Sequence, residues 1–161
     1  MEAKELGYII TDYLNSKGEL VSPKKLQKLL YYVESWNLVH LQDPLLEEDF
    51  EAWVHGPVLP SVYRELKQFG FNNILIINDE LDSAEERINK IADSNNLSEE
   101  QKQLIFSVLN KYGGLSPFDL EMLTHSEKPW IDARGNVPPH ENCNNIISKE
   151  SMKSYYSSLI N

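Results

Sequence analysis

The chain has 161 residues, with 15 Lys and Arg against 25 Asp and Glu, and a formal net charge of −10. Such a balance repels a nucleic-acid backbone and an anionic membrane surface, both of which are held by clustered Lys and Arg. Hydrophobic residues make up 41% and aromatic residues 10%, a globular rather than disordered composition, and this length suits a single domain over residues 1–161 with a self-sufficient core.

Cys143 is the one cysteine, so neither an intramolecular disulfide nor a multi-cysteine zinc site is expected. The opening MEAKELGYII has no basic stretch followed by a long apolar run, and no apolar segment approaches the roughly 18 residues of a membrane span. The expected location is the cytoplasm, where a lone thiol stays reduced.

Leu6, Ile9, Ile10, Tyr13 and Leu14 recur at helical spacing in residues 3–16, and Gly18 follows as a terminator. In SPKKLQKLLYYVESWNLVH, Ser22 is a natural N-cap and Pro23 fits the first helical position, ahead of a stripe formed by Leu26, Leu29, Leu30, Val33 and Trp36. FEAWV, at residues 50–54, predicts a short strand. His55, Gly56 and Pro57 then break the chain, and Pro60 opens a helix that runs to Gly70. NNILIIND predicts a second strand, near residues 73–78, that pairs with the first.

Residues 82–94 form an acidic helix with Ile88 and Ile91 as its apolar points. Ser98 and Gln101 stand at capping-box spacing before a helix that Gly113-Gly114 closes, and Ser116-Pro117 opens a shorter one reaching Leu123 or Thr124. Pro129 to Asn145 reads as a surface loop, and Ser148 caps a last helix ending near Leu159. The expected fold class is mainly α, a compact domain of about six helices with a small β element.

Charge is unevenly placed. Half of the net −10 falls in residues 41–56, which hold Asp43, Glu47, Glu48, Asp49 and Glu51 and no Lys or Arg. The segment reads either as a solvated loop or as a contact surface for a basic partner. Catalytic signatures are missing: the glycines make no phosphate loop, there is no His-Glu-x-x-His helix, and His40, His55, His125 and His140 are scattered singly. No metal, no cofactor and no enzymatic activity are expected.

Two clusters carry more rigid, aromatic and polar residues than packing alone requires. WVHGPVLPSVYRELK combines Trp53, His55, Gly56, Pro57, Pro60 and Tyr63, which suits a fixed chain reversal presenting aromatic surface or, alternatively, rings that fill the core. LEMLTHSEKPWIDAR holds His125, Glu127, Pro129, Trp130 and Arg134, residue types that build a buried polar network holding a loop or line a cleft.

The ordered series KLQKLLYYVESWNLV, FEAWVHGPVLPSVYRELK and KYGGLSPFDLEMLTHSEKPWIDAR closely resembles the SocA-like antitoxin domain, also called Panacea, a family that includes phage-associated GepA-type proteins. The similarity runs from about Pro23 to Arg134, and IISKESMKSYY matches the family's closing helix. Positions matching the family motifs are Leu29, Tyr31, Trp36, Trp53, Gly56, Pro57, Tyr63, Gly113, Leu115, Leu123, Thr124, His125, Pro129, Trp130 and Arg134. The resemblance implies an intracellular, mostly helical antitoxin of a two-gene toxin–antitoxin module, with no catalytic residues to carry across. It implies direct binding of a cognate protein toxin, with delivery of the toxin to an ATP-dependent protease, or a phage-encoded interaction with a host system, as alternatives. A remaining class, a small hydrolase using His125 with Glu127 or Asp132, rests on side-chain types alone. The expected toxin contact combines Glu47, Glu48, Asp49 and Glu51 with Trp53, His55 and Tyr63, facing a basic surface on the toxin.

Overall fold

A computed structural model describes residues 1–70, 72–76 and 82–161, and in it the chain winds around its second helix. The first, α1 (Ala3–Ser16), turns at Gly18 into α2 (Pro23–His40). The Ser22 side chain accepts from the Lys25 amide, and Pro23 sits in the first turn, where its missing N–H has no helical partner to lose. Every residue of α2 from Lys25 to Val39 is buried. The apolar stripe accounts for one face only, so the polar face must be covered and its groups satisfied.

Loops and a hairpin provide that cover. Gln27 both donates to the Leu59 carbonyl (3.2 Å) and accepts from the Leu59 amide (2.9 Å). Lys28 donates to the Pro57 carbonyl, Glu34 accepts from the Leu45 and Leu46 amides at 3.0 and 3.1 Å, and Asn37 donates to the Asp43 carbonyl. These side chains work as staples along the helix, each fixing a piece of residues 43–59.

The hairpin consists of β1 (Phe50–Trp53) and β2 (Gly56–Val58), paired antiparallel with Trp53 opposite Gly56 and joined by Val54 and His55 alone. A second antiparallel partner, β3 (Ile146–Ile147), lies on the other side of β1, giving the order β2-β1-β3. Gly56 has φ +105°, a conformation that L side chains rarely adopt. The expected pairing between residues 50–54 and 73–78 is therefore corrected. A two-residue connection gives β1 its partner immediately, as short hairpins do, while Ile74 forms a single bridge to Val21 (N to O 2.7 Å). The end of the expected second strand, at residues 77–78, lies outside the described residues.

After β2 come α3 (Pro60–Leu66), continued by a 3₁₀ turn (Lys67–Phe69), then α4 (Ala84–Ser94), α5 (Glu99–Tyr112) and α6 (Pro117–His125). Capping boxes open α4 (Ser83 with Glu86) and α5 (Ser98 with Gln101), and the Ser116 hydroxyl caps α6. The expected loop from Pro129 to Asn145 instead starts as a helix, α7 (Lys128–Arg134), with Pro129 in its first turn where proline is tolerated. The last helix is α8 (Lys149–Ser158), capped by Ser148. Eight α-helices are thus present among the described residues, and the mainly α class with a small antiparallel sheet stands.

Between α2, α5 and α8 sits an aromatic cluster. Tyr32 stacks on Tyr112 (ring centroids 4.2 Å apart), and the Trp36 indole donates to the Tyr112 hydroxyl (3.0 Å). Glu127 enters this cluster from the α6–α7 junction and accepts from the hydroxyls of Tyr32 (2.6 Å) and Tyr156 (2.9 Å). Burial pushes its carboxyl above the usual range, against the pull of those two hydrogen bonds.

Candidate functional site

The turn of the hairpin lies over the N-terminal half of α2 and against α6 and α7, and there the two motif clusters meet. The Trp130 indole donates to the Trp53 carbonyl (2.8 Å), and the His125 ring stacks on Trp130 with centroids 4.0 Å apart. Arg134, buried, donates to the carbonyls of Ala52 (2.9 Å), Pro138 (2.7 Å) and Glu141 (2.6 Å). It ties β1 to the loop after α7, which is the loop-holding network its motif suggested. Gly56 is enclosed: a β-carbon there would lie 2.5 Å from Lys28 Cε and 2.8 Å from Thr124 Oγ1.

Charged residues that the sequence reading did not select complete the site. Glu121 of α6 pairs with Lys24 of α2 and, through Oε1, contacts His55 Nδ1 at 2.6 Å. Burial raises the Glu121 carboxyl, but hydrogen bonds from Lys24 and His55 outweigh it and hold the group below its usual value. Lys28 is 1% exposed, and burial lowers its ammonium from 10.5 to about 7. Sequence offered only a faint signal for these, Lys24 with Lys28 and Glu121 with His125 at helical i, i+4 spacing.

The acid–base arrangement considered for His125 is not assembled. Its nearest carboxylate is Glu121, at 4.0 Å from Nε2, and that carboxylate serves Lys24 and His55. Glu127 faces the tyrosines, and Asp132 pairs with Lys128 at 2.7 Å. Burial lowers the His125 imidazole, with the Glu121 charge opposing the shift. Among the described residues no three His, Cys, Asp or Glu side chains converge as metal ligands, and no helix is long and apolar enough to cross a membrane.

Residues 43–51 run from the end of α2 to β1, and their carboxylates are partly engaged within the chain. Glu48 accepts from the Ser61 hydroxyl, Asp49 pairs with Lys149 at 3.2 Å, and Glu51 accepts from the Trp53 indole at 2.6 Å. Glu47 is exposed. Trp53 is half-buried and meets the exposed Tyr63 edge to face at 4.9 Å. Both rings line a cleft of about 1030 Å³ between the start of α2, the hairpin, α3 and the loop at residues 140–144. Through Glu48 and Glu51 the acidic segment is therefore continuous with the hairpin and the start of α3, while Asp49 is turned toward Lys149 of α8.

The family model described as Antitoxin SocA-like, Panacea domain, matches residues 26–131. The chain belongs to this family. The matched span of the Panacea domain holds α2 from its first turn, the whole hairpin and the His125–Trp130 stack, and it ends before Arg134. Antitoxin SocA of Caulobacter vibrioides (strain NA1000 / CB15N) is 38% identical over 64 residues, 40% of this chain and 34% of that protein. The aligned part of the chain thus spans about a third of the length of that curated relative. No solved structure matches the chain.

Proposed function

We propose that this protein is the antitoxin of a toxin–antitoxin module and neutralises a cognate protein toxin by direct binding, without catalysis. Membership of the SocA-like antitoxin family supports the role. The observation that carries the mode of action is the continuous face joining the acidic segment to the hairpin. Glu51 is bonded to Trp53, Trp53 touches Tyr63, and Glu48 is bonded to Ser61 at the start of the helix that carries Tyr63. Trp and Tyr are enriched among the residues that dominate binding energy. Glu47, Glu48, Asp49 and Glu51, with Trp53, His55 and Tyr63, form the toxin contact, and the facing surface of the toxin is basic.

Co-expression with the product of the adjacent gene tests this. That product alone should arrest growth, and this chain should restore growth and co-purify with it. Glu47→Lys, at the exposed carboxylate of the segment, should weaken the complex at low salt while leaving the fold intact. Unchanged affinity would remove the acidic segment from the interface. Rescue that disappears in a host lacking its ATP-dependent proteases would replace neutralisation by binding with delivery for degradation.

A further inference from the structure

We infer that the cleft along the first turns of α2 receives an acidic segment of a partner protein, its carboxylates facing Lys24, Lys28 and Lys67 and its apolar side chains facing Trp53, Val58 and Tyr63. This rests on the reading that the chain acts by binding a protein, and it names the partner's chemistry at one part of the surface. The protein carries a net charge of −10, yet among the described residues no Asp or Glu lines this cleft. Its basic lining is Lys24, Lys28, Lys67, His55 and His140, with Tyr63 and Cys143 as its other titratable groups.

Glu121 stands behind the wall, pairs with Lys24, engages His55 and also acts on Lys28, opposing the burial that lowers that ammonium, so that one carboxylate serves two lysines and an imidazole. The Lys67 side chain has no ion pair among the described residues. Lys28 donates to the Pro57 carbonyl, whereas an ammonium has three protons to place. An incoming carboxylate supplies the counter-charge that burial denies this group. Asn142 and Asn144 offer side-chain amides to a peptide backbone from the opposite wall.

A cleft of about 1030 Å³ lies at the upper end of the roughly 300–1,000 Å³ of small-molecule sites and accommodates several residues of extended peptide. A long polyanion is disfavoured, because Glu51 is bonded to Trp53 of the cleft wall and the whole chain, at a net −10, repels phosphates at a distance. A segment acidic only where it meets the lysines avoids that repulsion.

The test is a titration of the ¹⁵N-labelled full chain with an acetylated, amidated peptide of alternating Glu and Leu, with its Gln counterpart, and with inorganic phosphate. The Glu peptide should bind saturably and shift amides near Lys24, Lys28, Trp53, Lys67 and Asn142. The Gln peptide should bind at least about tenfold more weakly, and Lys67→Glu should weaken the Glu peptide by a similar factor. Lys24→Gln, expected to act in the same direction, provides a second variant if Lys67→Glu alters the fold. Equal affinity for both peptides, shifts elsewhere, no saturable binding, or a preference for phosphate would overturn the assignment. Loss of peptide binding with toxin rescue intact refutes the cleft alone, whereas intact peptide binding without toxin rescue refutes the antitoxin reading alone.

Discussion

Lys28 Nζ donates to the carbonyl oxygen of Pro57 across 3.0 Å, from a side chain that is 1% exposed. A helix staple and a hairpin strand thus share one buried polar contact, which fixes the hairpin over α2 together with the bonds from Gln27, Trp130 and Arg134. The contact leaves a cation in a place that disfavours charge.

The consequence is a pH-dependent stability. Burial lowers the Lys28 ammonium from 10.5 to about 7 in the folded protein. Between those values the unfolded chain binds more protons, so stability rises with pH from about 7 toward 10. Lys28→Met, similar in shape and uncharged, should flatten that rise. Urea midpoints for both proteins across this range measure it, and an unchanged slope in the variant would assign the effect to another group.

Gly56→Ala should destabilise the protein by about 3 kcal/mol, since the new methyl meets both a positive φ and two occupied neighbours. Thermal unfolding gives the loss. In a Thr124→Ala background the added cost of Gly56→Ala should be smaller, because one of the two clashes is then gone.

Gly56 was legible because proline-flanked glycine beside a strand has few other uses. The stripe of α2 was legible for the same kind of reason, its spacing matching the helical period. The all-round burial of α2 was not, because Gln27, Lys28, Glu34 and Asn37 are residues that ordinarily face water. Only the loop and hairpin that fold back over them, through 29 to 32 residues of separation for Lys28 and Gln27, make them interior. Glu121 was hidden for a similar reason, meeting Lys24 across 97 residues with no local periodicity to announce it. His125, Trp130 and Arg134 were recognisable as a group, but Glu127 beside them belongs to the tyrosine cluster, a choice made by a helix junction rather than by composition. Of the strands, β1 was legible in FEAWV, whereas β3 has only two residues and pairs with β1 across nearly a hundred residues of chain, a contact that no local pattern announces.

Arg134→Lys should fail to substitute for arginine. The guanidinium reaches three backbone carbonyls and lies over the Trp130 ring at 5.0 Å, whereas an ammonium lacks the planar fork that reaches all three. A loss of about 2–4 kcal/mol is expected from the severed charge-assisted hydrogen bonds. Hydrogen exchange should speed up at Ala52, whose amide donates to the Asn145 carbonyl at 2.8 Å, and through residues 136–145, while α1 and α4 keep their protection.

Glu34 provides a titration of opposite sense. The carboxylate is fully buried, accepts from the Leu45 and Leu46 amides, and has Lys149 Nζ at 3.9 Å. Burial raises its carboxyl from 4.5 to about 7, with Lys149 and the two amides opposing. Here the folded state binds the extra proton, so the contribution of Glu34 is most favourable below 4.5 and declines as pH rises through 7. Glu34→Gln retains an oxygen for both amides and cannot ionise. It should match the wild type at the acid end and exceed it above neutral pH by about 3 kcal/mol, the free energy of a shift of that size. Paired urea titrations from pH 4.5 to 8 decide the matter: a variant that is less stable than the wild type at pH 8 would mean that the ion pair with Lys149 outweighs the burial of the carboxylate.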